Sequence, residues 1–96
     1  RALKYYKFGD PREVTELVQD TISTDLGSYE VLVRWLASPI NPADINKIQG
    51  VYMHRAPLPA IAGSEGVGRV VQIGSSVTSV SPGDKVAILG LNSPCW

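Results

Sequence analysis

A side-chain pattern of period two, rich in β-branched residues, marks two segments and limits the fold more than any other feature. In segment 30–38, every second residue falls on one face, namely Val31, Val33, Trp35 and Ala37. Segment 67–73 alternates in the same way. Because successive side chains of a strand point to opposite faces of a sheet, both segments are predicted to be strands. Further strands are predicted at 2–8, 14–19 and 85–89.

One helix interrupts this pattern. Asn41 is a favourable N-cap residue, Pro42 fits the first helical position, and Asp44 places a negative charge in the first turn. Gly50 is a natural residue for the C-terminal end of the helix. The sequence therefore predicts a short, two-turn helix between these positions.

The composition favours a turn-rich β fold. The 96 residues include seven Pro and nine Gly, which mark turns between short strands. Five or six short strands and one short helix predict a mainly β domain, 1–96, built as a partly open barrel. A chain of this length is too short to hold both a dinucleotide-binding domain and a substrate domain.

The charge balance excludes several classes of partner. Nine Lys and Arg residues match nine Asp and Glu residues, so the chain lacks the basic excess typical of nucleic-acid and anionic-membrane binders. No window approaches the roughly 20 apolar residues of a membrane helix. A single Cys excludes an internal disulfide and a multi-cysteine zinc site.

Both ends of the sequence suggest a processed or partial chain. It begins at Arg1, and residues 1–7 contain no uninterrupted apolar stretch of a signal peptide. The tail 91–96 ends on Trp96, so we expect the natural chain to continue, with a tail docked on the domain as the alternative. Cys95 is interpreted as a surface or interface thiol.

The glycines at 63–68 do not form a dinucleotide-binding loop. A strand-like run follows them where the fingerprint needs a helix, and Val71 stands where its third glycine belongs. Glycines that let a strand bend are the preferred interpretation. Glu65, inside this stretch, is expected to make a salt bridge or backbone hydrogen bonds rather than to act in catalysis.

Three other residues are candidates for chemistry. Tyr52 lies in the loop 51–59, where a phenol acts either as a packing residue or as a proton donor. Asn41 is first a helix cap, although its amide is also able to bind a ligand. His54 is interpreted as a surface residue of the loop, because no second His or suitably spaced Cys accompanies it.

Five segments occur in the same order as motifs of the medium-chain dehydrogenase/reductase superfamily. They are 27–34 (GxxEVLV), 41–46 (NPxDIN), 48–52 with 58–59 (IQGxY…LP), 63–71 (GxEGVGxVV) and 80–86 (PGDxV). The chain resembles the zinc-independent enoyl-reductase and quinone-reductase branches, and the enoyl-thioester reductases most. This resemblance implies a GroES-like β-barrel domain, with the Rossmann domain of the family outside this chain.

The resemblance also implies the cofactor and the absence of zinc. Asn41 and Ser64 stand where zinc-dependent relatives have a Cys and a His ligand. NADPH is implied, bound mainly by the Rossmann domain, with Asn41 facing the nicotinamide. Tyr52 occupies the position of the proposed proton donor of the enoyl-reductase branch.

The implied activity is the reduction of an enoyl-CoA or enoyl-acyl-carrier-protein in mitochondrial fatty-acid synthesis. The full-length enzyme is expected to be a homodimer, and the 96-residue chain alone is expected to be inactive. A zinc-independent NADPH quinone oxidoreductase is the alternative enzyme. A non-enzymatic GroES-like binding module is the alternative from another class.

Overall fold

In the part of the chain that the structure describes, the fold consists of two antiparallel three-stranded sheets and two short helices. A computed structural model describes residues 1–89 and 95–96; residues 91–94 of the predicted tail lie outside this described part. The elements are β1 Ala2–Tyr5, α1 Pro11–Val14, β2 Thr15–Val18, β3 Val31–Ala37, α2 Pro42–Gln49, β4 Ala60–Ile61, β5 Glu65–Ile73 and β6 Lys85–Leu89. One sheet has the order β2-β1-β4 and the other the order β3-β5-β6. The predicted mainly β, partly open architecture is confirmed.

The prediction of a single helix is wrong. Asp10 caps a second helix, α1, by accepting a hydrogen bond from the backbone N–H of Arg12, with Pro11 at the first helical position. Val14 therefore ends a helix rather than beginning a strand, and β2 begins at Thr15. The cap signal of Asp10 and Pro11 was present in the sequence, but the alternation that follows it obscured a helix of only four residues.

The strands β3 and β5 lie where the alternation predicts them, with β5 starting two residues early, at Glu65. On β5 the buried positions are occupied by two glycines and a valine, namely Gly66, Gly68 and Val70. The Trp35 ring of β3 packs on the two glycines: an added Cβ at Gly66 would lie 2.8 Å from it. These glycines therefore make room for an aromatic ring, in addition to any bending of the strand.

The core lies between the first sheet and the two helices. Its buried members are Tyr5, Val14, Ile48 and Ala62, with Leu3, Phe8, Ala60 and Trp96 packed around them. Ile48 is 1% exposed, so it fixes the inner face of α2 against β1 and β4. Within the described ranges no helix is long and apolar enough to cross a membrane.

Gly50 ends α2 in the left-handed conformation, as its position predicts. Its φ is 77°, and an added Cβ would lie 2.8 Å from the Phe8 ring.

We expect Gly50→Ala to lower the free energy of unfolding by about 2 kcal/mol, because the left-handed region alone costs an L-residue about 1–2 kcal/mol and the Phe8 ring must also shift. Gly83→Ala is the matched control, since Gly83 has φ +95° with no atom within 4 Å of an added Cβ. Urea unfolding measures both variants. Equal losses would show that Phe8 contributes nothing to the requirement for glycine.

Trp96 is docked on the domain, as the alternative interpretation of the tail predicts. Its backbone N–H donates to Ala62 O (3.0 Å), and its carbonyl accepts from the Leu3 N–H (3.2 Å). Its indole Nε1 lies 3.3 Å from Pro39 O.

Of the two interpretations of Cys95, a surface or an interface thiol, the surface thiol is wrong. Cys95 is only 6% exposed, because the docking of the neighbouring Trp96 carries it into the domain. Burial, and secondly the negative charge of Asp44, raise the pKa of the Cys95 thiol above its usual value of 9.0.

Cys95 is consequently expected to resist alkylation. The thiolate is the reactive form, and both burial and the raised pKa deplete it in the folded protein. Iodoacetamide at pH 8 should label the native chain roughly tenfold more slowly than the urea-unfolded chain, as followed by mass spectrometry. Because the folded state disfavours the thiolate, the contribution of Cys95 to the free energy of unfolding is fully present below pH 9.0. It is lost as the pH rises above this value. Equal labelling rates in the two states would contradict the buried placement.

Candidate active site

Six polar side chains lie along α2, from the start of β5 beside its N-terminal end to the loop that follows its C-terminal end. They are Asn41, Asp44, Lys47, Tyr52, Ser64 and Glu65. Asn41 and Tyr52 are the two site residues that the sequence predicted. Asp44 was expected only to place a negative charge in the first turn of α2, and Lys47 had no predicted role.

Asn41 and Glu65 form the first part of this site. The Asn41 side-chain nitrogen donates to Glu65 Oε2 in a short hydrogen bond. The Glu65 backbone carbonyl accepts from Ser38 Oγ at 2.5 Å, which ties β5 to the end of β3. A salt bridge or backbone hydrogen bonds were the expected contacts of Glu65; among the described residues, its carboxylate accepts from the neutral amide of Asn41. Since a carboxylate only accepts, this contact fixes which end of the Asn41 amide faces Glu65.

Asp44 is the buried centre of the second part. It is 1% exposed, and its Oδ2 accepts from the Asn41 backbone N–H at 2.8 Å. Its Oδ1 accepts from Ser64 Oγ at 2.6 Å. Lys47 Nζ in turn donates to Ser64 Oγ at 2.6 Å. A buried carboxylate is costly without such partners, so the Ser64 hydroxyl connects it to a compensating cation.

Tyr52 follows α2 by three residues and is half-buried. The Lys47 ammonium lies 5.7 Å from the centroid of its ring, within the range of a cation–π interaction. The loop neighbours Met53 and His54 are exposed, as expected for His54.

Asn41 and Tyr52 flank opposite ends of the same helix. At 1.5 Å rise per residue, the eight residues of α2 separate them by roughly 12 Å along its axis. They therefore do not form one contact cluster, but Asp44, Ser64 and Lys47 connect them along the helix. A ligand that met both residues would have to extend along this face.

A cleft of about 280 Å³ adjoins the site beneath α2. Its wall is mostly apolar and includes Tyr5, Ile48, Ala56, Pro57, Ala60, Ile61, Ala62 and Gly63. Asp44 and Lys47 line the same cleft, so the cleft adjoins the hydrogen bonds that link these two residues to Ser64. Its volume is near the lower end of the range of small-molecule sites.

Metal-ligating side chains do not cluster in the described part of the chain. Nowhere within 1–89 and 95–96 do three His, Cys, Asp or Glu residues come together in a way that would hold a metal ion.

The sequence indicated only part of the hydrogen-bonded group Asp44, Ser64 and Lys47. Residues three and four apart share a helix face, so a helix at this place puts Asp44, Lys47 and Ile48 on one face of α2. Ser64 could not be placed beside them without the fold, because it is 17 residues from Lys47.

A family model and several known proteins match this chain. The model of the alcohol dehydrogenase GroES-like domain matches residues 27–96. A mitochondrial enoyl-[acyl-carrier-protein] reductase of Caenorhabditis elegans is 55% identical over all 96 residues. The chain covers 28% of that relative, and 26% of a human reductase of the same name to which it is 51% identical. The chain thus spans about a quarter of the length of these curated relatives.

Solved structures show the same backbone. The Etr1p complex with NADP and crotonyl-CoA superposes with a TM-score of 0.90 at 36% identity, over 99% of this chain and 29% of Etr1p. The mitochondrial 2-enoyl thioester reductase Etr1p/Etr2p heterodimer from Candida tropicalis superposes with a TM-score of 0.90 at 37% identity, over 99% of this chain and 29% of that one. A Bacillus thuringiensis protein described as a candidate NADPH:quinone reductase gives a TM-score of 0.82 at 42% identity, over 92% of this chain and 26% of that one.

Proposed function

Because the chain belongs to the alcohol dehydrogenase GroES-like domain family, we propose that residues 1–96 are the N-terminal catalytic domain of a longer, NADPH-dependent trans-2-enoyl-thioester reductase. The observation that carries this proposal is the match of the whole domain to the Etr1p complex with NADP and crotonyl-CoA. The names of the curated relatives support the same activity and a mitochondrial location. The substrates are enoyl-CoA or enoyl-acyl-carrier-protein, and the full-length enzyme is a homodimer.

Tyr52 is the proton donor of the proposed reaction. Bound NADPH would supply a hydride for the β-carbon of the enoyl thioester, and negative charge then develops on the thioester oxygen. The Tyr52 phenol first hydrogen-bonds this oxygen and then protonates the α-carbon of the enolate. Its half-buried ring, next to Lys47, supports the role by limiting the positions of the hydroxyl.

Asn41 is the proposed contact of this domain with the nicotinamide. One amide N–H is directed to Glu65, so the side chain is held in one orientation, and its second N–H suits a neutral carboxamide. The Asn41 amide, oriented by Glu65, therefore fits the carboxamide of a nicotinamide. Most of the cofactor would be bound by the Rossmann domain, outside this chain, so the 96-residue chain alone is expected to be inactive.

Zinc has no role in this proposal. Asn41 and Ser64 occupy the positions of the two zinc ligands of zinc-dependent relatives, and their amide and hydroxyl groups are engaged by Glu65 and Asp44. Zinc sites are built from Cys, His and carboxylate ligands instead.

An assay of the full-length protein tests the activity. We expect NADPH oxidation with crotonyl-CoA and little with a 1,4-naphthoquinone. The reverse preference would establish the quinone oxidoreductase, which the match to the Bacillus thuringiensis protein keeps as the second candidate.

The isolated 96-residue chain provides the complementary test. We expect no turnover and no micromolar NADPH binding by calorimetry. Micromolar binding would show that this domain holds the cofactor by itself. A stable seven-membered ring in sedimentation would instead favour a non-enzymatic GroES-like module.

A further inference from the structure

Lys47 makes contacts that the proposed reaction does not explain. It lies in the last turn of α2, where a cation normally interacts with the helix dipole and the last carbonyls. Its ammonium donates to Ser64 Oγ on the segment before β5, at 2.6 Å. The same ammonium lies over the Tyr52 ring, 5.7 Å from the centroid.

Ser64 and Asp44 hold the Lys47 ammonium in place. Ser64 Oγ donates to Asp44 Oδ1 at 2.6 Å, so its lone pairs face Lys47. Asp44 is almost fully buried and is itself held by the Asn41 backbone N–H. A hydrogen-bonded chain thus runs from the start of α2 through Asp44 and Ser64 to the Lys47 ammonium.

Tyr52, by contrast, lies on a segment with little regular support. Residues 51–59 contain neither a helix nor a strand, and Val51 and Met53 on either side of Tyr52 are 72% and 83% exposed. A phenol on such a loop samples several ring orientations unless side chains restrict it. A proton donor is effective only when its hydroxyl is held within hydrogen-bonding distance of the reacting group.

We infer that Lys47 is a positioning residue for Tyr52: held by Ser64 and Asp44, its ammonium binds the face of the Tyr52 ring and fixes the direction of the hydroxyl. This inference rests on the proposed function of Tyr52 as proton donor. It adds a cation that acts on the reaction through the Tyr52 ring.

Kinetics of the full-length reductase test the inference. We expect Lys47→Met, which keeps the length of the side chain and removes the charge, to lower kcat with crotonyl-CoA by roughly tenfold. The KM for NADPH should change less than about twofold, since the ring contact does not bind the cofactor. Lys47→Arg keeps a cation able to lie over the ring and should recover most of kcat. Lys85→Met is the control, since Lys85 is exposed at the start of β6.

The decisive comparison uses Tyr52→Phe. Without the phenol, the orientation of the ring no longer matters, so Lys47→Met should not lower kcat further in the Tyr52→Phe background. An equal loss in both backgrounds would show a merely structural role. A parental kcat in Lys47→Met, or a Lys47→Arg variant as slow as Lys47→Met, would likewise overturn the inference.

A second measurement separates this inference from the activity itself. If the full-length protein does not reduce crotonyl-CoA, the proposed function fails, but the contact is still measurable by unfolding. In a double-mutant cycle of Lys47→Met and Tyr52→Leu, the unfolding equilibrium constant should show a coupling of about two- to fivefold, the effect of an exposed cation–π pair. Strictly independent effects of the two substitutions would overturn the contact.

Discussion

Tyr52→Phe is expected to lower kcat of the full-length reductase with crotonyl-CoA by about 10²–10³-fold, the usual cost of removing one donor to a developing oxyanion. Phe preserves the ring and hence the packing beside Lys47, so the loss isolates the hydroxyl. Because the hydroxyl acts on charge that develops during the reaction, kcat and kcat/KM should fall together. Initial rates of NADPH oxidation measure this change.

Tyr29→Phe is the matched control for this prediction. Tyr29 is 81% exposed in the turn before β3, so the loss of its hydroxyl should leave kcat within about twofold of the parent. A Tyr52→Phe enzyme as active as the parent would remove Tyr52 from the chemistry. A rise in KM at constant kcat would assign its hydroxyl to substrate binding alone.

Gly68→Ala is expected to cost about 3 kcal/mol or more, at the upper end of overpacking effects. An added Cβ at Gly68 would collide with Val33 Cγ1 and would lie 2.8 Å from the carbonyl oxygen of Arg34 and 3.1 Å from the Trp35 ring. The carbonyl belongs to the paired strand β3, so it moves only if the β3–β5 pairing is distorted. Since domains of this size are stable by only about 5–15 kcal/mol, such a loss is a large part of the total.

Urea unfolding measures this loss, and two variants define its origin. Val71→Ala is the control on the same strand, because Val71 is 52% exposed and should change stability by less than about 1 kcal/mol. Adding Val33→Ala to Gly68→Ala removes the collision between side chains but leaves the one with the backbone. Partial recovery is therefore expected. Full recovery would show that the Arg34 carbonyl is no obstacle, and a Gly68→Ala variant as stable as Val71→Ala would contradict the close approach of β3 to Gly68.

The sequence predicted those elements whose signals lie within a few residues. The alternation around Val33 and Trp35 placed β3, and Asn41, Pro42 and Gly50 placed α2. The same kind of signal failed for α1, because a four-residue helix is too short to show a period of its own. It also failed for Cys95, whose burial depends on where the tail docks and not on its neighbours in the sequence.

The sequence by itself determined the mainly β fold, the single longer helix and the candidates Tyr52 and Asn41, because strand period, helix caps and family motifs are local properties. Only the tertiary structure decided the partners of these residues. Asn41 meets Glu65 across 24 residues of chain, and Lys47 meets Ser64 across 17. The burial of Asp44 likewise follows from the packing of α2 against the start of β5. The energies of buried charges depend on such distant contacts, so the electrostatic organisation of the site emerges only once the two segments pack together.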